Sequence, residues 1–136
     1  MNLTPREHLD RYVAAINAGD ADAVRDLLSP DVRAVDHRPL GWEETVGRDA
    51  SMAVLEGWAA LSPDLQLSVE VLDAGPRSNV ARYLYHGVTE HGVKWETEII
   101  VFAVVEGGRT TLTEMFPGED TESALARFEE EGAQTR

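Results

Sequence analysis

Leu65-Gln66-Leu67-Ser68-Val69-Glu70-Val71 alternates apolar and polar side chains along its length. Successive side chains of a strand point to opposite faces, so this run predicts a strand half-buried on its Leu and Val face. The chain beyond it keeps the same character. Ala74-Gly75-Pro76-Arg77-Ser78-Asn79 reads as a turn, Val80 to Thr89 as the next strand, and Glu90-His91-Gly92 as a turn into a long strand from Lys94 to Val105. Glu106-Gly107-Gly108 is a tight hairpin signal, and Arg109 to Phe116 returns until Pro117-Gly118 stops it. Thr121 to Glu131 closes the chain as a helix burying Leu125 and Phe128, with Ala124.

On the N-terminal side of that run the period is helical. Leu9, Tyr12, Val13 and Ile16 share one helix face, and Asn17-Ala18-Gly19 supplies a stop. Asp20 caps a short second helix with Val24, Leu27 and Leu28 on one face. Ser29-Pro30-Asp31 breaks it, Val32 to Asp36 is a short strand, and Pro39 to Gly47 is loop. A third helix runs from Arg48 to Leu61, with Met52, Leu55, Trp58 and Ala59 for burial, and Ser62-Pro63-Asp64 ends it. The expectation is an α+β fold: three N-terminal helices packed in a strongly curved mixed or antiparallel sheet, plus a C-terminal helix. One domain over residues 1–136, with a conical cavity between helices and sheet, follows.

Composition narrows the function classes. The net charge is −13 with a single lysine, Lys94, which argues against nucleic acid, since phosphate binding needs clustered Lys and Arg. Part of the acidity sits in Glu119-Asp120-Thr121-Glu122 and Glu129-Glu130-Glu131, which read as solvated faces. With no cysteine, disulfides, thiolate metal sites and cysteine nucleophiles are excluded. No basic-then-apolar leader opens the chain, and no apolar run reaches the roughly 20 residues that span a bilayer. A cytoplasmic protein without membrane contact is expected. The four histidines show no metal-ligand spacing, and no serine-nucleophile, phosphate-loop or dinucleotide motif is present, so neither metal nor cofactor is expected.

Two residues of the first forty suggest chemistry. Tyr12 lies in Asp10-Arg11-Tyr12-Val13-Ala14-Ala15-Ile16-Asn17-Ala18-Gly19-Asp20, and Asp36 lies in Val35-Asp36-His37-Arg38-Pro39. A phenol on a helix and a carboxylate at a strand end can face one cavity. There the carboxylate serves as a base and the phenol as donor to developing oxyanion charge. Either residue also has a plainer role, Tyr12 as a core tyrosine with one buried partner and Asp36 as a turn cap paired with Arg38.

The order of elements resembles the nuclear-transport-factor-2-like fold, an α+β cone that includes the SnoaL-like polyketide cyclases. Arg11 to Asp20 resembles the first helix of steroid delta-isomerase (ketosteroid isomerase) nearly residue for residue. That resemblance implies Tyr12 as the oxyanion-binding tyrosine and Asp36 as the catalytic base. It also places Val101 where the isomerase has a second, carboxylic acid donor, so steroid isomerisation itself is not expected. Asp36-His37-Arg38, Trp95-Glu96-Thr97-Glu98 and Ala124 to Glu130 are similar to SnoaL-like domains, some of them fused to regulatory proteins. Relatives of this fold are often dimers, so a homodimer is expected.

His86 shares a phase with Arg82, Leu84 and Val88, and the isomerase match turns that phase toward the cavity. His86 is therefore a candidate pocket acid or base beside Asp36 and Tyr12, with Tyr83 and Tyr85 on the opposite face. Arg38 points with Asp36 and could hold an anionic group, while His37 faces away. Trp58, Trp95, Thr97, Val101 and Met115 complete the expected substrate-binding lining. Glu96 and Glu98 have the wrong phase for the cavity unless a bulge intervenes, and Glu114 is a candidate for the pocket mouth. The leading expectation is a cofactor-free enzyme that abstracts a proton next to a carbonyl of a hydrophobic small molecule. A non-catalytic ligand sensor, an epoxide hydrolase built on Asp36 with Arg38 or Arg82, and a protein-interaction module are the alternatives.

Overall fold

The computed structural model describes residues 3–38 and 44–134. Thr4 opens the first helix, Pro5–Ala18 (α1), through reciprocal bonds: Glu7 N donates to the Thr4 hydroxyl (3.1 Å) and Thr4 N to the Glu7 carboxylate (3.0 Å). Gly19 ends it at φ 67°, a left-handed conformation that glycine adopts without strain. Ala23 N donates to the Asp20 carboxylate (3.1 Å), which starts Ala21–Asp26 (α2). Leu27 is the cap of that helix rather than part of its face, and Leu28 already begins a strand.

The strands are Leu28–Asp36 (β1), Thr45–Val46 (β2), Gln66–Ala74 (β3), Ser78–Val88 (β4), Lys94–Glu106 (β5) and Arg109–Pro117 (β6). Helices Arg48–Leu61 (α3) and Thr121–Gln134 (α4) complete the described chain. Six strands form one mixed sheet in the order β2-β1-β6-β5-β4-β3. β1 runs parallel to β6, and the other neighbours are antiparallel. β1 starts earlier than Val32 because an irregularity between Leu28 and Arg33 accommodates Pro30 within the strand. Residues 39–43 of the expected loop lie outside the described residues, and its end forms β2.

The expected grouping of three helices ahead of the sheet is corrected. α3 follows β1 and β2, because β1 pairs with β6 and leaves β2 at one edge of the sheet. α3 then carries the chain to β3 at the other edge.

Each face of the sheet has its own core. Leu67, Ala81, Tyr83, Ile99 and Val101 pack with Leu9 and Ile16 of α1 and Met52 of α3. On the opposite face Val80, Ile100, Phe102 and Phe116 pack against Ala124 of α4, with Leu125 and Phe128 alongside. Leu55 and Trp58 of α3 pack against the first core as expected, but Ala59 is exposed, because α3 meets the core along a narrower stripe. Asn17 ties the end of α1 to edge strand β3: Leu67 N donates to Asn17 Oδ1 (2.7 Å) and Asn17 Nδ2 donates to Leu67 O (3.1 Å). The helices are thereby held over the sheet face that carries the cavity.

Candidate functional site

Alternation along β1 turns Val32, Ala34 and Asp36 to the face that α1 and α3 cover. A cavity of about 510 Å³ lies there, walled by Leu9 and Tyr12 of α1, Leu55 and Trp58 of α3, and the inward residues of β1, β4, β5 and β6. Asp36 pairs with Met115, and Met115 with Val101, so the three form one row across the cavity wall.

The Asp36 side chain is 3% exposed and its partner is Arg38. Arg38 Nε donates to both carboxylate oxygens (2.9 and 3.1 Å), Nη2 to one (2.6 Å) and the Arg38 backbone N–H to the other (3.0 Å). Hydrogen bonding to Asp36 also raises the Arg38 pKa above its ordinary value. Four hydrogen bonds from three donors favour the charged form of a carboxylate, so the resting site holds an ion pair inside the cavity. A base in this position has its acceptor sites engaged and must trade some of them to take a proton.

His37, the next residue, projects to the opposite face as expected. Its Nε2 lies 2.7 Å from Glu114 Oε1, and its ring stacks on Phe116 with centroids 4.8 Å apart. Arg127 Nε donates to the other Glu114 oxygen (2.5 Å) while its guanidinium sits 4.7 Å over the Phe102 ring. Glu114 therefore does not reach the cavity; it anchors, from behind the sheet, the strand end that presents Asp36. Glu98 likewise stays on the outer face, bonded to Arg82 (2.9 Å), which also bonds Glu70 (2.7 Å).

All three tyrosines of the chain line the cavity, Tyr12 from α1 and Tyr83 and Tyr85 from β4. The Tyr12 and Tyr85 hydroxyls are 3.4 Å apart, and the Tyr12 and Tyr83 rings are 6.3 Å apart. Burial raises the pKa of each phenol; for Tyr12 the hydrogen bond with Tyr85 opposes part of that rise. All three are neutral hydrogen-bonding groups at ordinary pH, not phenolates.

Their position corrects the expected phase of β4. Ala81, Tyr83 and Tyr85 face inward, and Arg82, Leu84 and His86 face the other way, so His86 does not join Asp36 and Tyr12. The physical reason was present in the residue types: a strand carrying Arg82 and His86 in one phase and aromatics in the other desolvates the aromatics. Trp95 and Thr97 share the inward phase of β5 but lie beyond the cavity wall; Trp95 stacks edge-on against Trp58 at 6.2 Å. Arg38, Trp58, Val101 and Met115 do line the cavity, with Tyr12 and Asp36. His8 lines it too and was missed, although it sits one turn before Tyr12 on the same helix face. Its Nε2 donates to Leu27 O (3.0 Å), and burial lowers its pKa, so it is a neutral imidazole. Among the described residues no three His, Asp or Glu side chains gather as a metal site, and no helix is long and apolar enough to cross a membrane.

A sequence profile described as the SnoaL-like domain matches residues 9–113. No curated protein matches the sequence. A Pseudomonas putida structure, provisionally named a polyketide cyclase, is 24% identical over 85% of this chain and 92% of its own, with a TM-score of 0.69. A Mycobacterium tuberculosis protein in complex with estradiol-17β-hemisuccinate is 16% identical over 87% of this chain and 97% of its own, at a TM-score of 0.71. A Catenulispora acidiphila protein with a ketosteroid isomerase-like fold, in complex with trimethylamine, is 19% identical over 91% and 92%, at 0.67. At these identities the likeness is one of fold.

Proposed function

Since the chain belongs to the SnoaL-like domain family, we propose that it is a cofactor-independent enzyme moving a proton next to a carbonyl group of a hydrophobic small molecule. The outcome would be isomerisation, cyclisation or elimination. One observation carries this reading: Asp36 and Tyr12 line the same cavity, whose other walls are mostly apolar. Asp36 would take the proton from the carbon beside the carbonyl, exchanging bonds from Arg38 as it does so. Tyr12 would donate to the carbonyl oxygen as it gains enolate charge. The Tyr85 hydroxyl, within reach of Tyr12, would donate to it and leave the single Tyr12 proton for the substrate. Asp36 would return its proton to a second carbon or to a leaving group. One such donor lowers the barrier by about 3 kcal/mol.

Exchange of the α-hydrogens of 2-tetralone in D2O, followed by proton NMR, tests this without knowledge of the natural substrate. The wild-type chain should accelerate exchange. Asp36→Asn should abolish the acceleration, and Tyr12→Phe should reduce it about a hundredfold. Unchanged exchange by Asp36→Asn would overturn the assignment of the base.

A second reading, a ligand-binding domain without turnover, is favoured by the ion pair that engages Asp36. It predicts that 2-tetralone binds but does not exchange. Epoxide hydrolysis has less support, because among the described residues no carboxylate other than Asp36 lines the cavity. From the resemblance alone we infer a cytoplasmic homodimer, which sedimentation of the purified chain would test for mass.

A further inference from the structure

Val101 occupies the cavity wall in the row of Asp36 and has no hydrogen to donate. Tyr83 stands one diagonal step away: it pairs with Ile99 across β4 and β5, and Val101 is two residues further along β5 on the same face. The side chain is buried, at 6% exposure for the residue, and its ring lies 6.3 Å from that of Tyr12. The hydroxyls of Tyr12 and Tyr85 are within reach of each other, but among the described residues no hydrogen bond reaches that of Tyr83. Protein atoms do not close that oxygen off either. A buried phenol without a protein partner is uncommon, because leaving the O–H unpaired forfeits a hydrogen bond. The cavity is the open side on which its partner can stand.

The rest of the lining says what kind of partner. No lysine lines the cavity among the described residues, and its one arginine, Arg38, is committed to Asp36. His8 spends its Nε2 hydrogen on the Leu27 carbonyl. The wall therefore offers phenol hydrogens without a free positive charge, which suits a neutral acceptor better than an anion. We propose that Tyr83 is a second substrate-binding donor, so that the cavity takes a neutral carbonyl compound whose oxygen accepts hydrogen bonds from Tyr12 and Tyr83 together. This rests on the reading of the cavity as a carbonyl site.

The test uses 4-(dimethylamino)benzaldehyde as the probe, with its carbonyl stretch read by infrared difference spectroscopy and its Kd by absorbance. Bound to the wild-type chain, the stretch should lie below its value in an apolar solvent, as expected for two donors. Tyr83→Phe should move it part of the way back and raise Kd about fivefold, the effect of one hydrogen bond. Tyr12→Phe should act similarly, and the double variant should reach the apolar-solvent value. N,N-dimethylaniline, which lacks the carbonyl, should bind wild type and Tyr83→Phe equally, reporting that the cavity is intact. A band that moves with Tyr12→Phe but not with Tyr83→Phe overturns the role of Tyr83 and leaves the carbonyl site standing. A band that moves with neither, or an aldehyde that does not bind, overturns both. Equal weakening of both probes by Tyr83→Phe assigns that residue to packing and also overturns the proposal.

Discussion

Raising the pH past the ordinary tyrosine range probes the cavity wall directly, because the chain has three tyrosines and all of them lie in that wall. Water-exposed phenols ionise near pH 10, whereas burial puts Tyr12, Tyr83 and Tyr85 above it. The folded pKa values exceed the unfolded ones, so the unfolded chain releases these protons first as pH rises. The stabilisation from keeping the phenols neutral is present below about pH 10 and is lost above it. Over that range each phenol removes up to about 1.4 kcal/mol per pH unit, and three together about 4 kcal/mol. Against a total stability of roughly 5–15 kcal/mol, unfolding should be complete within about four units above pH 10. Tyrosinate absorbance followed alongside far-ultraviolet circular dichroism is the assay. The folded protein should show no tyrosinate at pH 10, and the absorbance should then rise in one step with the loss of helix signal. In guanidinium chloride the three should titrate together near pH 10. One full equivalent of tyrosinate near pH 10 with the dichroism intact would refute the burial of that ring. Tyr85→Phe should lower the slope by a third.

Two further substitutions test the supports of the site. Arg38→Met should cost about 2–4 kcal/mol in urea denaturation, because it removes the three guanidinium hydrogen bonds to the 3%-exposed Asp36 carboxylate. The lower end reflects the 26% exposure of Arg38; a loss below about 1 kcal/mol would show the pair to be solvated. Gly87→Ala should cost about 1–3 kcal/mol, since a Cβ there would meet Ser62 Oγ at 2.1 Å. That serine donates to Asp64 (2.7 Å), which accepts from Val88 N (2.9 Å), so the clash would loosen the junction of α3 and β4. An unchanged melting temperature would refute it.

Most element boundaries are local properties and were legible. α3 runs from Arg48 to Leu61 as its pattern predicted, and β3 begins one residue into the alternating run that decided the fold. Caps explain this: Gly19 and Asp20 terminate and start helices through their own backbone or carboxylate, without help from distant residues. Asp36 and Tyr12 could be singled out for the same reason, since each lies on an element whose inward phase is plain. β2 was not legible, because two residues, Thr45 and Val46, carry no period and exist as a strand only through pairing with β1. The phase of β4 is not legible locally either, and the placement of His86, Tyr83 and Tyr85 goes with it. An eleven-residue strand flanked by strands on both sides has apolar residues in both phases, and one residue of slip exchanges its faces.

By itself, the sequence determined the α+β class, the succession of helices and strands, and the presence of a phenol and a carboxylate on elements that can face each other. Periodicity and capping act within a few residues, so they are written locally. Tertiary structure decided the rest. Parallel pairing of β1 with β6 brought Asp36 level with Met115 and Val101, and the fold of the strand end closed Arg38 onto Asp36. Cross-strand register chose which face of β4 met the cavity. Those choices depend on desolvating charges and filling volume across residues far apart in the chain, and they turned a phenol–carboxylate pair into a cavity with three phenols and an ion pair.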